Sequence, residues 1–197
     1  YGTMTDIDGN TYKTVTIGTQ TWMAENLKVT KYNDGTAIPN VTDETAWSSL
    51  TTGAYCNYNN DPSTAATYGR LYNWYAVNTG KLCPTGWHVP SDAEWVTLRE
   101  YLGGEEVAGG KLKEIGTTHW NSPNEGATNA SGFTALPGGY RYFDATFYDI
   151  GNYGLWWSST DYVTNNALHW GLNYNYNNLN YHNSNKVDGF SVRCVRD

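Results

Sequence analysis

The sequence predicts an α+β fold in a single domain that covers residues 1–197. Three observations support this prediction: strand-like residues with tight turns begin the chain, helical patterns follow, and short apolar or aromatic runs separated by Gly and Asn continue from Phe133 onward. Helices and strands that occupy separate parts of a chain are typical of α+β domains. No Pro/Ser-rich linker or charge run divides the chain, whose length is enough for one sizeable core.

Residues 6–22 (DIDGNTYKTVTIGTQTW) have the pattern of β-structure with tight turns. The Asp-Gly-Asn at residues 8–10 supplies one turn, and Gly18 with Thr19 fits a two-residue hairpin loop. The first turn also imitates the opening of a calcium loop through three alternate side chains, Asp6, Asp8 and Asn10. No bidentate Glu follows at the spacing that a calcium loop requires, so we interpret these side chains as turn residues.

A short amphipathic helix is predicted over Tyr68–Val77, with Gly80 as its stop signal. The residues at helical spacing are Leu71, Trp74, Tyr75 and Asn78. A weaker helical pattern covers Glu105–Glu114, where Gly109 and Gly110 oppose helix formation because Gly has low helix propensity.

The clearest local signal is a helix start at residues 90–95 (PSDAEW). Ser91 is placed to cap the first free backbone amides while the Glu94 side chain reaches back, which is a capping box. Asp92 adds negative charge where the helix dipole is positive. The apolar stripe that follows consists of Trp95, Leu98 and Leu102, and Gly103-Gly104 ends the helix.

The last residues of the chain predict a strand in which Phe190, Val192 and Cys194 share one face. If the compartment is oxidising, Cys83 and Cys194 are the better candidate pair, since closing a loop of about 110 residues could contribute about 4–5 kcal/mol. The alternative is three buried thiols, with Cys56 as the third. The cysteines lack the close pairs that structural zinc sites use.

Composition and motifs exclude several classes of function. The formal net charge is -7 with only 12 Lys plus Arg, so the basic surface of a nucleic-acid or anionic-membrane binder is missing. No apolar run is long enough to cross a bilayer. The chain has no Gly-rich phosphate-binding loop, because its Gly-Gly pairs follow a helix instead of linking a strand to a helix. The four His show no spacing typical of metal ligands. We therefore expect no nucleic-acid partner, no direct membrane insertion, no metal and no cofactor.

Residues 161–185 (DYVTNNALHWGLNYNYNNLNYHNSN) form the most unusual stretch of the chain. Eighteen of the 25 positions hold Asn or a residue one nucleotide from an Asn codon, namely Tyr, His, Asp, Thr or Ser. Tyr rings and short amides are the chemistry that antibody-like binding surfaces favour. The segment therefore predicts a contact surface, with an Asn-rich edge strand or a solvated loop as the alternative.

Several motifs resemble the Fibrobacter succinogenes major paralogous domain: DIDGNTYKTVTIGTQTWMAENL, GRLYNWYA, CPTGWHVPSDAEWVTL, ALPGGYR, WWSST and GFSVRCVRD. The resemblance covers nearly the whole chain. That family is similar in turn to formylglycine-generating enzymes and other C-type lectin-like domains. The resemblance implies a C-type lectin-like fold with a small twisted antiparallel sheet, two helices and long irregular loops that display ligand contacts.

The same fold carries the variable proteins of diversity-generating retroelements, in which an error-prone reverse transcriptase randomises template adenines. Asn codons then become a wide residue set near the C-terminus, which is the composition of residues 161–185. The resemblance implies a protein or glycan ligand on a cell or phage surface. It also implies an extracellular or cell-surface location, on a lipoprotein anchor, a pilus or a phage tail tip. An undiversified paralogue is the alternative.

We expect a binding domain and not an enzyme. Catalysis of the formylglycine-generating type would need two reactive cysteines close in space, and none of the three lies in a matching motif. Asp144, Asp149 and Asp161 are available carboxylates, but nothing in the sequence pairs them as acid and base. An undiversified carbohydrate-binding module is the second hypothesis, and it would be calcium-independent because residues 38–40 (Ile-Pro-Asn) lack the carboxylate of a Glu-Pro-Asn run.

The predicted binding surface covers residues from about 140 to 185, and Trp156 and Trp157 within that range are expected in the core. The predicted ligand contacts are Tyr142, Phe143, Tyr148, Tyr162, His169, Trp170, Tyr174, Tyr176, Tyr181 and His182.

Overall fold

The computed structural model describes all residues from 1 to 197 and confirms an α+β fold. Its twelve strands are β1 (Gly2–Thr5), β2 (Thr11–Ile17), β3 (Gln20–Met23), β4 (Tyr55–Cys56), β5 (Leu71–Tyr72), β6 (Trp87–His88), β7 (Gly138–Arg141), β8 (Phe147–Ile150), β9 (Tyr153–Val163), β10 (Asn166–Asn173), β11 (Asn180–Asn185) and β12 (Val195–Arg196). The helices are α1 (Glu44–Ser48), α2 (Thr64–Tyr68), α3 (Trp74–Val77), α4 (Asp92–Tyr101) and α5 (Glu105–Leu112), and a 3₁₀ turn covers Tyr58–Asn60.

The strands form two main sheets and two short pairs. The larger sheet has the order β1-β2-β3-β12-β6, so the last strand of the chain lies between strands from its first half. The second sheet has the order β11-β10-β9, and both of its strand pairs are antiparallel. β4 pairs with β5, and β7 forms a hairpin with β8. None of the helices is long and apolar enough to cross a membrane.

The N-terminal turns are confirmed. The Asp6 carboxylate accepts hydrogen bonds from the backbone N–H groups of Asp8 and Asn10, each at 2.9 Å, and from the Tyr12 hydroxyl at 2.6 Å. Gly18 begins the two-residue loop between β2 and β3 with φ of +60°, a conformation that Gly adopts without a steric penalty.

The capping box and the apolar stripe of α4 are also confirmed. The Ser91 backbone N–H donates to the Glu94 carboxylate at 2.8 Å, and the Ser91 hydroxyl oxygen accepts from the Glu94 N–H. The stripe residues Trp95, Leu98 and Leu102 are all buried. The weaker pattern that follows forms the two-turn helix α5 in spite of its two Gly residues.

The helix predicted over residues 68–77 is wrong over most of its length. Tyr68 is the last residue of α2, Leu71 and Tyr72 form strand β5, and only Trp74–Val77 of the remaining span is helical. The Tyr72 N–H donates to the Phe190 carbonyl at 2.9 Å, so pairing with the end of the chain overrides the local helical pattern. Asn73 then starts the short helix, because its side-chain oxygen accepts from the Ala76 N–H.

The segment of residues 190–195 passes through the interior and joins two apolar clusters. Phe190, Val192 and Cys194 all pack in the larger cluster, which confirms their shared face, whereas Val195 packs in the second cluster. The regular strand is shorter than predicted, since only Val195–Arg196 pairs as a strand. A disulfide joins Cys83 to Cys194, and Cys56 is a buried free thiol.

Candidate ligand-binding groove

The three-stranded sheet presents two faces of different character, because side chains alternate along each strand. Trp156 of β9 and Trp170 of β10 point into the second apolar cluster. On the opposite face, Leu155 of β9, His169 of β10 and His182 of β11 line a depression. The prediction that Trp156 and Trp157 belong to the core is confirmed, since neither is exposed.

Three adjoining depressions lie along that opposite face, and we call them together the groove. The central one, here the central pocket, has a volume of about 290 Å³. It shares Tyr153, Leu155 and His182 with a depression of about 190 Å³ on one side. On the other side it shares Tyr142 and Asn183, among others, with a depression of about 240 Å³. The shared residues make the three depressions one continuous surface.

Aromatic side chains of the β7–β8 hairpin form one wall of the central pocket. Tyr140 lies opposite Tyr148 across the hairpin, and their ring centroids are 5.7 Å apart. The Tyr142 ring lies 6.4 Å from Tyr140 and 4.4 Å from Phe143. Burial raises the pKa of Tyr140 to about 12, so its hydroxyl is neutral at pH 7. Cross-strand pairing of this kind holds flat rings in place at little entropic cost.

A buried carboxyl group, Asp188, lies at the bottom of the central pocket. Asp188 ends a turn in which its backbone N–H donates to the Asn185 carbonyl at 2.8 Å. The next residue, Gly189, forms a β-bridge with Arg141. Only 1% of Asp188 is exposed, and its Oδ1 has no hydrogen-bond partner. Burial raises the pKa of Asp188 to about 7, although the backbone amides of Phe143 and Asn185 oppose the rise.

Two histidines face each other across β10 and β11 at the same pocket. His169 pairs with His182 in the strand register, and their ring centroids are 5.8 Å apart. Burial, reinforced by the neighbouring His182, lowers the pKa of His169 to about 3, so His169 is neutral at pH 7. The His169 Nδ1 has no hydrogen-bond partner. No group of three His, Cys, Asp or Glu side chains is arranged to hold a metal ion.

A buried lysine fixes the backbone of the Asn-rich loop at residues 173–178. The ammonium group of Lys113 donates to the carbonyl oxygens of Glu125, Asn173 and Tyr176 at 2.7, 3.1 and 2.8 Å. Burial lowers the pKa of Lys113 to about 8. Lys113 contacts only backbone carbonyl groups of the loop. These hydrogen bonds therefore do not depend on which side chains the loop carries.

Replacing this lysine tests that account of the loop. We expect Lys113→Met to lower the free energy of unfolding by about 1–3 kcal/mol, since three partly buried carbonyl groups lose their donor. Amide exchange of residues 173–178 should accelerate more than exchange in α4. Lys111→Met is the matched control, because the Lys111 ammonium donates to a single carbonyl, that of Leu102. Equal protection of the loop in both variants would contradict the proposed role of Lys113.

Five of the ten predicted contacts line the groove: Tyr142, Phe143, His169, Tyr176 and His182. Tyr148 does not line a depression but packs beside Tyr142, with ring centroids 6.2 Å apart. Tyr162 is exposed near the β9–β10 turn and lies outside the three depressions.

Three other predicted contacts lie away from the groove, and one of them, Trp170, is wrong as a ligand contact because it is buried. Trp170 is fully buried, stacks on Trp95, and donates from its indole nitrogen to the Asp92 carboxylate at 2.9 Å, so it belongs to the core. Tyr181 is exposed on the opposite face of the sheet from the groove, because it pairs with Trp170 across the strands. Tyr174 is only partly exposed and packs against the second apolar cluster.

The sequence interpretation missed Tyr153 and Asp188 as groove residues. Tyr153 starts β9 two residues before Leu155, so strand alternation places both on one face, but the start of the strand was not evident from the sequence. Asp188 gave no signal, because a lone Asp beside a Gly resembles an ordinary turn.

Comparison with known proteins identifies the family of the chain. The model of the Fibrobacter succinogenes major domain matches residues 15–196, which include every strand and helix from β3 onward. Neither a curated protein nor a solved structure matches the chain significantly. The family match covers most of the chain and includes the whole groove, and the chain therefore belongs to the Fibrobacter succinogenes major domain family.

Proposed function

We propose that this chain is a non-enzymatic binding domain of C-type lectin-like fold whose groove contacts a protein or glycan on a cell or phage surface. We further propose that a diversity-generating retroelement varies the rim of the groove. In this account the domain acts outside the cell or on its surface.

One observation carries the proposal: within residues 161–185, the residues related to Asn codons lie at the surface and most of the other residues are buried. Of the 18 related residues, only His169 is buried, so 17 reach the surface at least partly. Of the other seven residues, five are buried: Ala167, Leu168, Trp170, Leu172 and Leu179. Exchanges among side chains are tolerated where they point to solvent, since changes of size inside a packed core cost roughly 1–3 kcal/mol each.

Polar residues are exposed in most proteins, so the informative members of this set are the tyrosines. None of the four Tyr in residues 161–185 is buried, and Tyr162, Tyr176 and Tyr181 are 54–60% exposed. Elsewhere in the chain, Tyr is often a core residue, as at Tyr12 and Tyr72. Exposed Tyr with neighbouring Asn suits a contact surface better than it suits a solvated loop.

The cysteines support a binding function over catalysis of the formylglycine-generating type. Cys83 and Cys194 are joined in a disulfide, and burial raises the pKa of the Cys56 thiol to about 12. A buried thiol with a raised pKa is a poor nucleophile, because the thiolate is the reactive form.

Two matched libraries test the proposal. One randomises five groove positions with codons derived from AAC, and the other randomises five buried positions of the same segment. The groove positions are Tyr176, Asn178, Asn180, His182 and Asn183, and the buried positions are Ala167, Leu168, Trp170, Leu172 and Leu179. Surface display followed by a protease challenge measures the folded fraction of each library.

We expect most groove variants and few buried variants to remain folded, and we expect the groove library alone to yield binders after selection on unrelated proteins. Binders selected on glycans alone would favour the carbohydrate-binding module. Equal loss of folded molecules from both libraries would contradict the proposal, because the groove side chains would then be needed for the fold.

A further inference from the structure

The central pocket combines aromatic walls with a buried carboxyl group, one oxygen of which, the Asp188 Oδ1, has no hydrogen-bond partner. Tyr140, Tyr142 and Tyr153 contribute rings to its lining, and Asp188 contributes the carboxyl group. Burying a carboxyl oxygen without a hydrogen-bond partner lowers the stability of the fold. Its presence at the bottom of an open pocket suggests that the missing partner is part of a ligand.

We propose that the central pocket binds the basic side chain of a lysine or arginine on a protein ligand, with Asp188 as the counter-ion and the tyrosine rings around the aliphatic arm. The inference rests on the proposed binding function and specifies the ligand group that the groove accepts. Ammonium and guanidinium groups are attracted to carboxylates and to the faces of aromatic rings.

The charges around the pocket favour a cation. No Lys or Arg lines any of the three depressions, whereas Asp149 and Asp188 both line the central pocket and Asp144 lies near Asp188. The other titratable groups that line it are Tyr140, Tyr142, Tyr153, His169 and His182.

The depth of the carboxyl group favours a side chain over an amino sugar. Asp188 is almost fully buried, so a cation must reach it at the end of a slender arm. Lys and Arg carry their charge on such arms and pack the aliphatic part along apolar surface. A sugar carries its amine directly on the ring.

The pocket is also independent of the proposed diversification. The three pocket tyrosines and Asp188 lie outside residues 161–185, whereas His182, Asn183 and Ser184 at the rim lie inside them. Adenine replacement in that segment would change the rim and leave the carboxyl group and all three tyrosine rings. Variants with different rims should therefore share a preference for basic side chains.

Nuclear magnetic resonance titrations with small probes test the proposal on the whole chain. The probes are the N-acetyl methylamides of lysine, arginine and norleucine, together with glucosamine. The proteins are wild type, Asp188→Asn, Tyr153→Ala and Asp34→Asn. The last is the matched control, because it removes a surface carboxylate paired with Lys81 and leaves the pocket unchanged.

We expect the lysine and arginine probes to shift resonances of the pocket residues, with affinity that rises between pH 6 and pH 8 as Asp188 ionises. Asp188→Asn should weaken binding at pH 8 by roughly tenfold and remove the pH dependence, and Tyr153→Ala should also weaken it. Asp34→Asn should bind as wild type does.

Equal binding of the norleucine and lysine probes would overturn the proposal, as would undiminished binding by folded Asp188→Asn. If glucosamine bound and the lysine and arginine probes did not, the proposed ligand group would be an amino sugar and not a basic side chain. Failure of the cation probes leaves the library comparison unaffected, since groove variants could still fold and bind neutral ligands. Failure of both experiments would reject the binding surface itself.

Discussion

Trp95→Ala is expected to lower the free energy of unfolding by about 3–5 kcal/mol, because it empties the centre of the second apolar cluster. The Trp95 ring centroid lies 4.8 Å from that of Trp22, 6.0 Å from Trp170 and 6.1 Å from Phe133. Urea denaturation monitored by far-ultraviolet circular dichroism measures the change. Trp95→Phe should be milder, since the indole nitrogen of Trp95 has no hydrogen-bond partner to lose.

Tyr176→Ala is the matched surface variant. The Tyr176 side chain is 60% exposed, and its backbone carbonyl, which Lys113 holds, is retained in the variant. We expect a change below about 1 kcal/mol. If Tyr176→Ala were as destabilising as Trp95→Ala, the Asn-rich segment would be part of the core and could not serve as a variable surface.

Asp188→Asn is expected to stabilise the unliganded protein above pH 7. The folded pKa of Asp188 is raised to about 7, whereas an unfolded Asp has a pKa of about 3.9. The folded state therefore holds the proton more tightly, and wild type loses stability as the pH rises from about 4 to 7. Asparagine does not titrate, so the variant should exceed wild type by roughly 2–4 kcal/mol at pH 8 and lose this advantage near pH 4.

Asp34→Asn provides a control of opposite sign. The hydrogen bond from Lys81 holds the pKa of the Asp34 carboxyl below its usual range. That stabilisation is lost only as the pH falls below the unfolded pKa of about 3.9, so Asp34→Asn should be slightly less stable than wild type at pH 8 and still so near pH 4. Urea denaturation at pH 4 and pH 8 measures both variants. A less stable Asp188→Asn at pH 8 would indicate that the carboxylate already has a partner.

Local signals in the sequence predicted the parts of the fold that local interactions determine. Ser91 and Glu94 form their capping box within four residues, and the turn at Asp6 closes through its own neighbours. The alternation of Phe190, Val192 and Cys194 was also evident, because strand periodicity is read along the chain.

The errors arose where residues far apart in sequence decide the structure. The helical pattern at Leu71 yielded to pairing with Phe190, about 120 residues away along the chain. Trp170 was wrongly assigned to the surface because the face on which a strand residue lies depends on register, and a shift of one residue exchanges the two faces. Asp188 became notable only in the folded chain, which places it in one pocket with Tyr140 and Tyr142.

Sequencing the gene and its surroundings in several related isolates tests the central claim, that the exposed Asn-related residues of the groove are variable by diversification. The account predicts a nearby template copy of the 3′ end of the gene and a reverse transcriptase. Mismatches should fall only at template adenines, in codons for exposed residues such as Tyr176, His182 and Asn183, while the codons of Trp170, Leu172 and Leu179 stay unchanged. Substitutions spread evenly over buried and exposed positions, with no template repeat, would contradict it.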